Sequence, residues 1–288
     1  MISKNDHDKQ NGSFCERFAL VPSVSNFGDT VFMFKPKALF IAAALIAAAS
    51  VHAKDADTLR LGIDPGYPPM DVKTPDGHVA GFDVDLGDEI CRRIAMRCQW
   101  VELEFSGMIP ALQARKIDGI MSSMAITDKR MKQIAFSSKL FQFRSRLLAK
   151  QGAPLTATAQ GLRGKRIGVQ SGSQFETYAM KNWQPGGVEV VAYQSMDGVL
   201  NDLSAGRIDA ALLGSVEAEH GFLKTPRGTG FAFVGEPLSM GDHGVGMGLR
   251  QDDTALKAKV DKAVTDMRAD GTYQKIARKY FDFDVYGE

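Results

Sequence analysis

Two stretches decide the architecture: LQARKIDGI at residues 112–120 and LSAGRIDAA at residues 203–211. Both follow the form L-x-A-x-[KR]-I-D-[GA]-[IA]. Each reads as the end of a helix followed by a buried strand, because helical spacing gives way to an apolar run. A shorter echo accompanies them. LGID at 61–64 and IGVQ at 167–170 are apolar runs that end in a polar residue, as short strands entering loops do. Copies about a hundred residues apart are too distant for a solenoid, whose periods run to roughly 20–50 residues, and point to two similar lobes.

Outward from these anchors, helix and strand signals alternate. Val84, Ile90, Cys91, Ile94 and Cys98 fall on one helical face. Residues 100–103 look like a strand, and Ser106 with Pro110 opens a helix ending near Lys116. Ser173, followed by Glu176, forms a capping box. Residues 188–193 read as a strand. Asp253 caps a helix that stops at Gly271, and residues 273–281 make a last short helix. This alternation predicts an α/β fold with two largely parallel sheets. In such sheets ligands sit beyond the carboxyl ends of the strands. That rule marks four loops, 64–67, 122–125, 170–174 and 213–215, which converge on one cleft if the lobes face each other.

The chain has 288 residues, 44% hydrophobic and 24% charged, enough for one large or two medium globular domains. The first 53 residues stand apart as a leader. Lys35 and Lys37 supply a basic start, residues 38–49 are apolar and uncharged, and Val51-His52-Ala53 ends in small residues. This is the pattern of a secretory signal peptide over residues 33–53, with cleavage expected after Ala53. The plainer alternative is a buried N-terminal helix; the run is too short to span a bilayer comfortably. Residues before Met33 carry no readable pattern, and translation from Met33 is one reading. From Lys54 on, Lys/Arg and Asp/Glu balance at 30 each, so no basic face for nucleic acid is expected. Cys91 and Cys98 are an even pair in an exported chain and read as a disulfide, the alternative being two buried thiols.

Among the loops, Arg130 is the strongest functional candidate, because a guanidinium forks onto a carboxylate with two bonds. Ser122 and Ser123 place hydroxyls and amides beside it. A solvated helix arginine is the competing reading. Ser173 and Gln174 begin a helix, where free N–H groups attract anions, or where simple capping suffices. Asp64 at a strand end offers a partner for a cation, or else is a turn residue. Tyr67 and Phe105 offer faces to an aliphatic chain or a cation, or belong to the core. Metalloprotease, nucleophile-elbow, P-loop and dinucleotide-binding motifs are missing. His78, His220 and His243 lack metal-ligand spacing. The balance leans toward binding, and no cofactor or metal is expected.

GFDVDLGDEICRR, IPALQARKIDGIMSSMAITDKR, IAFSSKL and DGTYQKIARKYFDFDVYG together resemble the family 3 bacterial extracellular solute-binding proteins. Within that family, residues 54–288 look like the lysine/arginine/ornithine- and histidine-binding proteins of ABC importers. The resemblance implies a type II periplasmic binding protein, two α/β lobes joined by two hinge strands, with residues 54–143 plus 243–288 in one and 145–238 in the other. It implies a monomer in the periplasm, a small amino acid ligand and an inner-membrane ABC permease as partner. By position, Asp64 matches the acid that meets a distal cation, and Tyr67 and Phe105 the aromatics around its stem. Ser122, Ser123 and Arg130 match the carboxylate grip, and Gln170, Ser173 and Gln174 the second-lobe contacts. Cys91 and Cys98 match the subgroup's disulfide. Ala125 and Gly214 depart from it: a serine and an aspartate usually stand there and hold the α-ammonium. Their loss, with the space expected at Gly214, suggests tolerance of an N-substituted ligand such as an opine; the alternative is that Ser215, or Glu217 about a helical turn further on, compensates. Other members of the fold are cyclohexadienyl dehydratases or signalling receptors; a dehydratase would need a general acid, for which Glu217 is the candidate.

Overall fold

The computed structural model describes residues 57–287, and the leader expected at residues 33–53 lies outside them. The described chain opens with strand β1 (Thr58–Ile63), a hairpin of β2 (Val72–Lys73) and β3 (Val79–Ala80), helix α1 (Phe82–Arg93) and strand β4 (Arg97–Glu102). Then follow α2 (Met108–Gln113), β5 (Gly119–Ile120), α3 (Asp128–Met131) and β6 (Ala135–Phe136). The middle of the chain forms β7 (Ser145–Lys150), β8 (Arg166–Gln170), α4 (Gln174–Asn182), β9 (Glu189–Tyr193), α5 (Met196–Ser204), β10 (Ala210–Gly214), α6 (Ser215–Ala218) and β11 (Phe231–Leu238). It closes with β12 (Gly248–Leu249), α7 (Thr254–Ala269) and α8 (Thr272–Ala277).

Two five-stranded sheets result, ordered β4-β1-β5-β12-β6 and β11-β7-β10-β8-β9. Both lie within one unit of the chain, Lys54–Glu288. The repeated stretches supply the middle strand of each sheet, β5 and β10. Each middle strand pairs parallel with one neighbour and antiparallel with the other. The sheets are therefore mixed, not largely parallel. The helix-connected strands run parallel, whereas β7 and β12, which follow the passages between sheets at 137–144 and 239–247, enter in the opposite sense; β11, antiparallel to β7, runs with β10.

The sequence repeat is also a repeat of hydrogen bonding. In the first copy Lys116 N–H donates to Ala111 O (2.9 Å) and Arg115 N–H to Leu112 O (3.1 Å); in the second Arg207 donates to Asp202 O (2.8 Å) and Gly206 to Leu203 O (3.1 Å). Such a bond pair ends a helix by turning one residue left-handed. That residue is Arg115 (φ 58°) in one copy and Gly206 (φ 69°) in the other. Three positions on, the shared aspartate staples its strand to the neighbour. Asp118 N–H donates to Arg60 O and its Oδ2 accepts from Arg60 N–H at 3.2 Å; Asp209 does the same with Arg166, at 2.8 Å.

Packing follows strand alternation. Leu147 and Leu148 point to opposite faces of the second sheet, one into a cluster with Ile167, Val169 and Trp183, the other into one with Val199, Leu203 and Phe222. The first sheet buries Leu59 and Leu61 against Phe82, Ile90, Val260 and Tyr273 on one side, while Ile120 meets Met108, Leu112 and Ile117 on the other. Each such fully buried side chain contributes roughly 1.5–3 kcal/mol.

Several local expectations shift. Cys98 is not on the helix with Cys91: Ala95 turns left-handed, Met96 N–H donates to Cys91 O, and Cys98 begins strand β4 with its disulfide reaching back to Cys91. The helix expected from Ser106 begins at Met108, after one 3-10 turn (Phe105–Gly107), and ends at Gln113. Asp253 stands at the N-cap of α7 without a side-chain cap bond, its carboxylate paired with Arg250 at 2.6 Å. Ser173 does cap α4, accepting from Glu176 N–H at 3.1 Å, but Glu176 accepts from Gly172 N–H rather than closing the box on Ser173.

Candidate functional site

Three of the four marked loops meet between the sheets. Asp64, Tyr67, Phe105, Ser122, Ser123, Ala125 and Arg130 come from the first half of the fold, and Gln170, Ser173 and Gln174 from the second. They line one pocket, together with Gly66 of the marked loop 64–67 and with Phe143 and Phe175, to which sequence reading assigned no binding role. Phe143 lies on a passage between the sheets, where no periodic pattern marks it.

Arg130 is buried, not solvated. Thr127 caps the short helix α3, accepting from Arg130 N–H, and so aims the side chain. One guanidinium nitrogen donates to Ala125 O at 2.8 Å and the other crosses to Gly172 O of the second half at 3.1 Å. The guanidinium also lies 5.4 Å from the Phe105 ring centroid, within cation–π reach. Burial lowers its pKa to about 10, against the pull of Asp242. It remains charged at neutral pH and, among the described residues, has no carboxylate partner at hydrogen-bond distance, which suits it to an incoming anion.

Asp64 faces the second half from the end of β1. Gln170 donates its amide to Asp64 Oδ2 at 2.8 Å. Burial pushes the Asp64 carboxyl up to about 6, although hydrogen bonds from the Phe105 backbone and Gln170 oppose the rise. A half-buried carboxylate whose partner is a neutral amide gains from a cation.

Behind the pocket lie two more carboxylates. Ser122 Oγ accepts from Asp64 N–H and donates to Asp71 Oδ2, both at 3.0 Å. Ser123 donates its hydroxyl to Asp83 Oδ2 at 2.9 Å, and its backbone N–H donates there too. Those two bonds hold Ser123 at φ 48°, a left-handed value uncommon outside glycine. Asp71 and Asp83 are fully buried, and burial raises the pKa of both; the charge of Asp83 pushes Asp71 further up, whereas hydrogen bonds from Ser123 and Asp71 hold Asp83 back. Gly81 makes their approach possible, since a Cβ there would strike Met70 O. Sequence reading missed Asp71; Asp83 stood in the GFDVDL stretch but without a role.

Gly214 is not among the lining residues, and the room expected beside it is filled. A side chain built at Gly214 would strike Glu217 Oε2 and come within 2.9 Å of Phe143 Cε2. Glu217 reaches back from α6 because β10 ends three residues earlier, within one helical turn. It is 2% exposed, and neither carboxylate oxygen has a hydrogen bond of good geometry. Burial pushes its carboxyl up to about 8, with its own backbone and the Tyr67 hydroxyl pulling back and Asp83 pushing further.

A guanidinium, a carboxylate and aromatic walls around one small pocket at strand ends are a chemical set suited to a small charged molecule. Comparison with known proteins shows the family. The family model of bacterial extracellular solute-binding proteins, family 3, matches residues 59–283. A lysine/arginine/ornithine-binding periplasmic protein of Escherichia coli (strain K12) is 49% identical, covering 87% of this chain and 98% of its own. A histidine-binding periplasmic protein of the same strain is 44% identical, covering 86% and 97%. The solved structure of an ancestral arginine-binding protein bound to arginine superposes with a TM-score of 0.74 at 33% identity, over 78% of this chain and 98% of that one. The chain belongs to the bacterial extracellular solute-binding proteins of family 3.

Proposed function

We propose that this protein is the periplasmic receptor of an amino-acid ABC importer and binds a cationic amino acid of the arginine, lysine, ornithine or histidine class. The observation that carries the reading is the pairing of Arg130 and Asp64 in one pocket, with Tyr67 and Phe105 in its walls. Arg130 takes the ligand carboxylate through its fork. Asp64 takes the distal cation, and the aromatic faces cover the aliphatic stem. Ser122 and Ser123, held by Asp71 and Asp83, complete the carboxylate end.

Both halves contribute to the pocket, so ligand favours the form in which they are closed on each other. The halves proposed are residues 54–143 with 243–288, and 145–238, moving about the passages between the sheets. The names of the relatives support a periplasmic location and a binding role; the leader pattern supports removal after Ala53, and a further relative named an ABC transporter arginine-binding protein supports a permease partner. The receptor acts as a monomer.

Calorimetry with arginine, lysine, ornithine and histidine tests the reading. Saturable binding of at least one, and its loss in Arg130→Ala, is expected; indifference to all four would overturn it. Prephenate incubated with the purified protein should be recovered unchanged, whereas turnover would make Glu217 a general acid and the protein a dehydratase.

A further inference from the structure

We propose that Glu217 is the acceptor for the ligand's α-ammonium, reaching it through the gap that glycine leaves at position 214. This rests on the reading of the pocket as a site for a cationic amino acid, and it names the third of the three charged contacts such a ligand needs.

A cationic amino acid carries one carboxylate and two cations. Arg130 and Asp64 account for the carboxylate and the distal cation, leaving the α-ammonium without a carboxylate partner. Asp71 and Asp83 are committed to Ser122 and Ser123 behind the wall. Ala125 lines the pocket with a methyl group and offers no side-chain acceptor. Glu217 differs from all of these. Both of its oxygens are buried, and among the described residues neither has a hydrogen bond of good geometry. A buried carboxylate in that condition is costly unless a proton or a cation meets it.

Its position supplies the cation. The carboxylate occupies the volume a residue-214 side chain would fill, beside Phe143, and the Tyr67 hydroxyl acts on it directly. Phe143 and Tyr67 both line the pocket. One further acceptor belongs to a residue that lines the pocket: Gln174 Oε1 is also buried with no hydrogen-bond partner among the described residues. The two could share an ammonium's three donors.

The test compares L-arginine with 5-guanidinopentanoate, which lacks only the α-amino group, by calorimetry on the native protein, Glu217→Gln and Gly214→Ala. Native protein is expected to favour arginine by at least about 30-fold. Glu217→Gln should bring the two ligands within about threefold by weakening arginine alone. Gly214→Ala should do likewise, since its methyl group displaces the Glu217 carboxylate without removing it. Unchanged or raised melting temperature in Glu217→Gln separates lost recognition from lost folding. A retained preference for arginine in both variants would overturn the role of Glu217 while leaving the basic amino acid reading intact. Failure of the native protein to bind either compound would overturn both.

Discussion

The two copies of L-x-A-x-[KR]-I-D share their backbone chemistry and differ in what they support. Each ends a helix on a left-handed residue and staples a middle strand with its aspartate. Yet Asp118 is 1% exposed and lies between Arg60 (3.0 Å) and Arg250 (3.1 Å), whereas the Asp209 side chain is 36% exposed and meets Lys165 at 3.3 Å. Beyond the motif the copies part further. The first runs into Ser122 and Ser123, buttressed by two buried aspartates. The second runs into Gly214, whose missing side chain is replaced by Glu217. A shared motif thus conveys how the chain turns; its energetic weight depends on burial.

The largest expected contrast is in stability. Asp118→Ala removes buried charge-assisted bonds to Arg60 and Arg250, although Arg250 keeps Asp253, and should cost about 2–4 kcal/mol in urea unfolding. Asp209→Ala removes an exposed pair and one backbone contact and should cost about 1–2 kcal/mol. Equal losses would show that the staple, not the burial, carries the energy. Next comes binding. Arg130→Ala should lose about 2–5 kcal/mol of ligand affinity, against about 1 kcal/mol for Gln170→Ala, whose bond is neutral on one side. Arg130→Lys should recover only part, because an ammonium cannot fork.

A smaller effect is set by pH. Burial raises the carboxyls of Asp64 to about 6 and Glu217 to about 8. A raised carboxyl favours the folded state fully below its unfolded pKa, and that advantage is lost as pH rises through the folded pKa. The unliganded protein should therefore melt at lower temperature at pH 8.5 than at pH 5.5. Binding of a guanidinium ligand should strengthen as pH rises through 6, where Asp64 ionises. A melting temperature that rises over the same interval would contradict the burial of these groups. The smallest contrast returns to the motif. Gly206→Ala should cost roughly 1 kcal/mol, as a Cβ is disfavoured at positive φ. Arg115→Gly should gain up to about 1 kcal/mol, little offset by its exposed pair with Asp252.

Much of this was legible because it is local. The repeat, the Ser173 cap, strand β9 and the pocket loops are written in runs of a few residues. Family resemblance added roles for Asp64, Tyr67 and Phe105 that their types alone left open. The mixed sheets were not legible, because β7 and β12 take their direction from crossings between distant segments. The fate of Gly214 was legible only in part. Glu217 was a candidate to compensate from the next helical turn, but a glycine in a string of letters reads as empty space, and only the folded chain shows the glutamate filling it. Asp71 gave no sign either, since its burial depends on Gly81 and Ser122.

Asp64 and Arg130 each hold a partner drawn from the opposite half, the Gln170 amide and the Gly172 carbonyl. On the proposed function, recognition at this pocket is an exchange reaction. An entering molecule is credited only with the difference between its own groups and the two it displaces, and a departing one is replaced at once by groups already within reach. The protein's internal substitutes set a threshold that a visitor must exceed. A carboxylate outcompetes a carbonyl for a guanidinium, and a cation outcompetes an amide for a carboxylate. A neutral side chain offers Asp64 nothing better than the amide it already has.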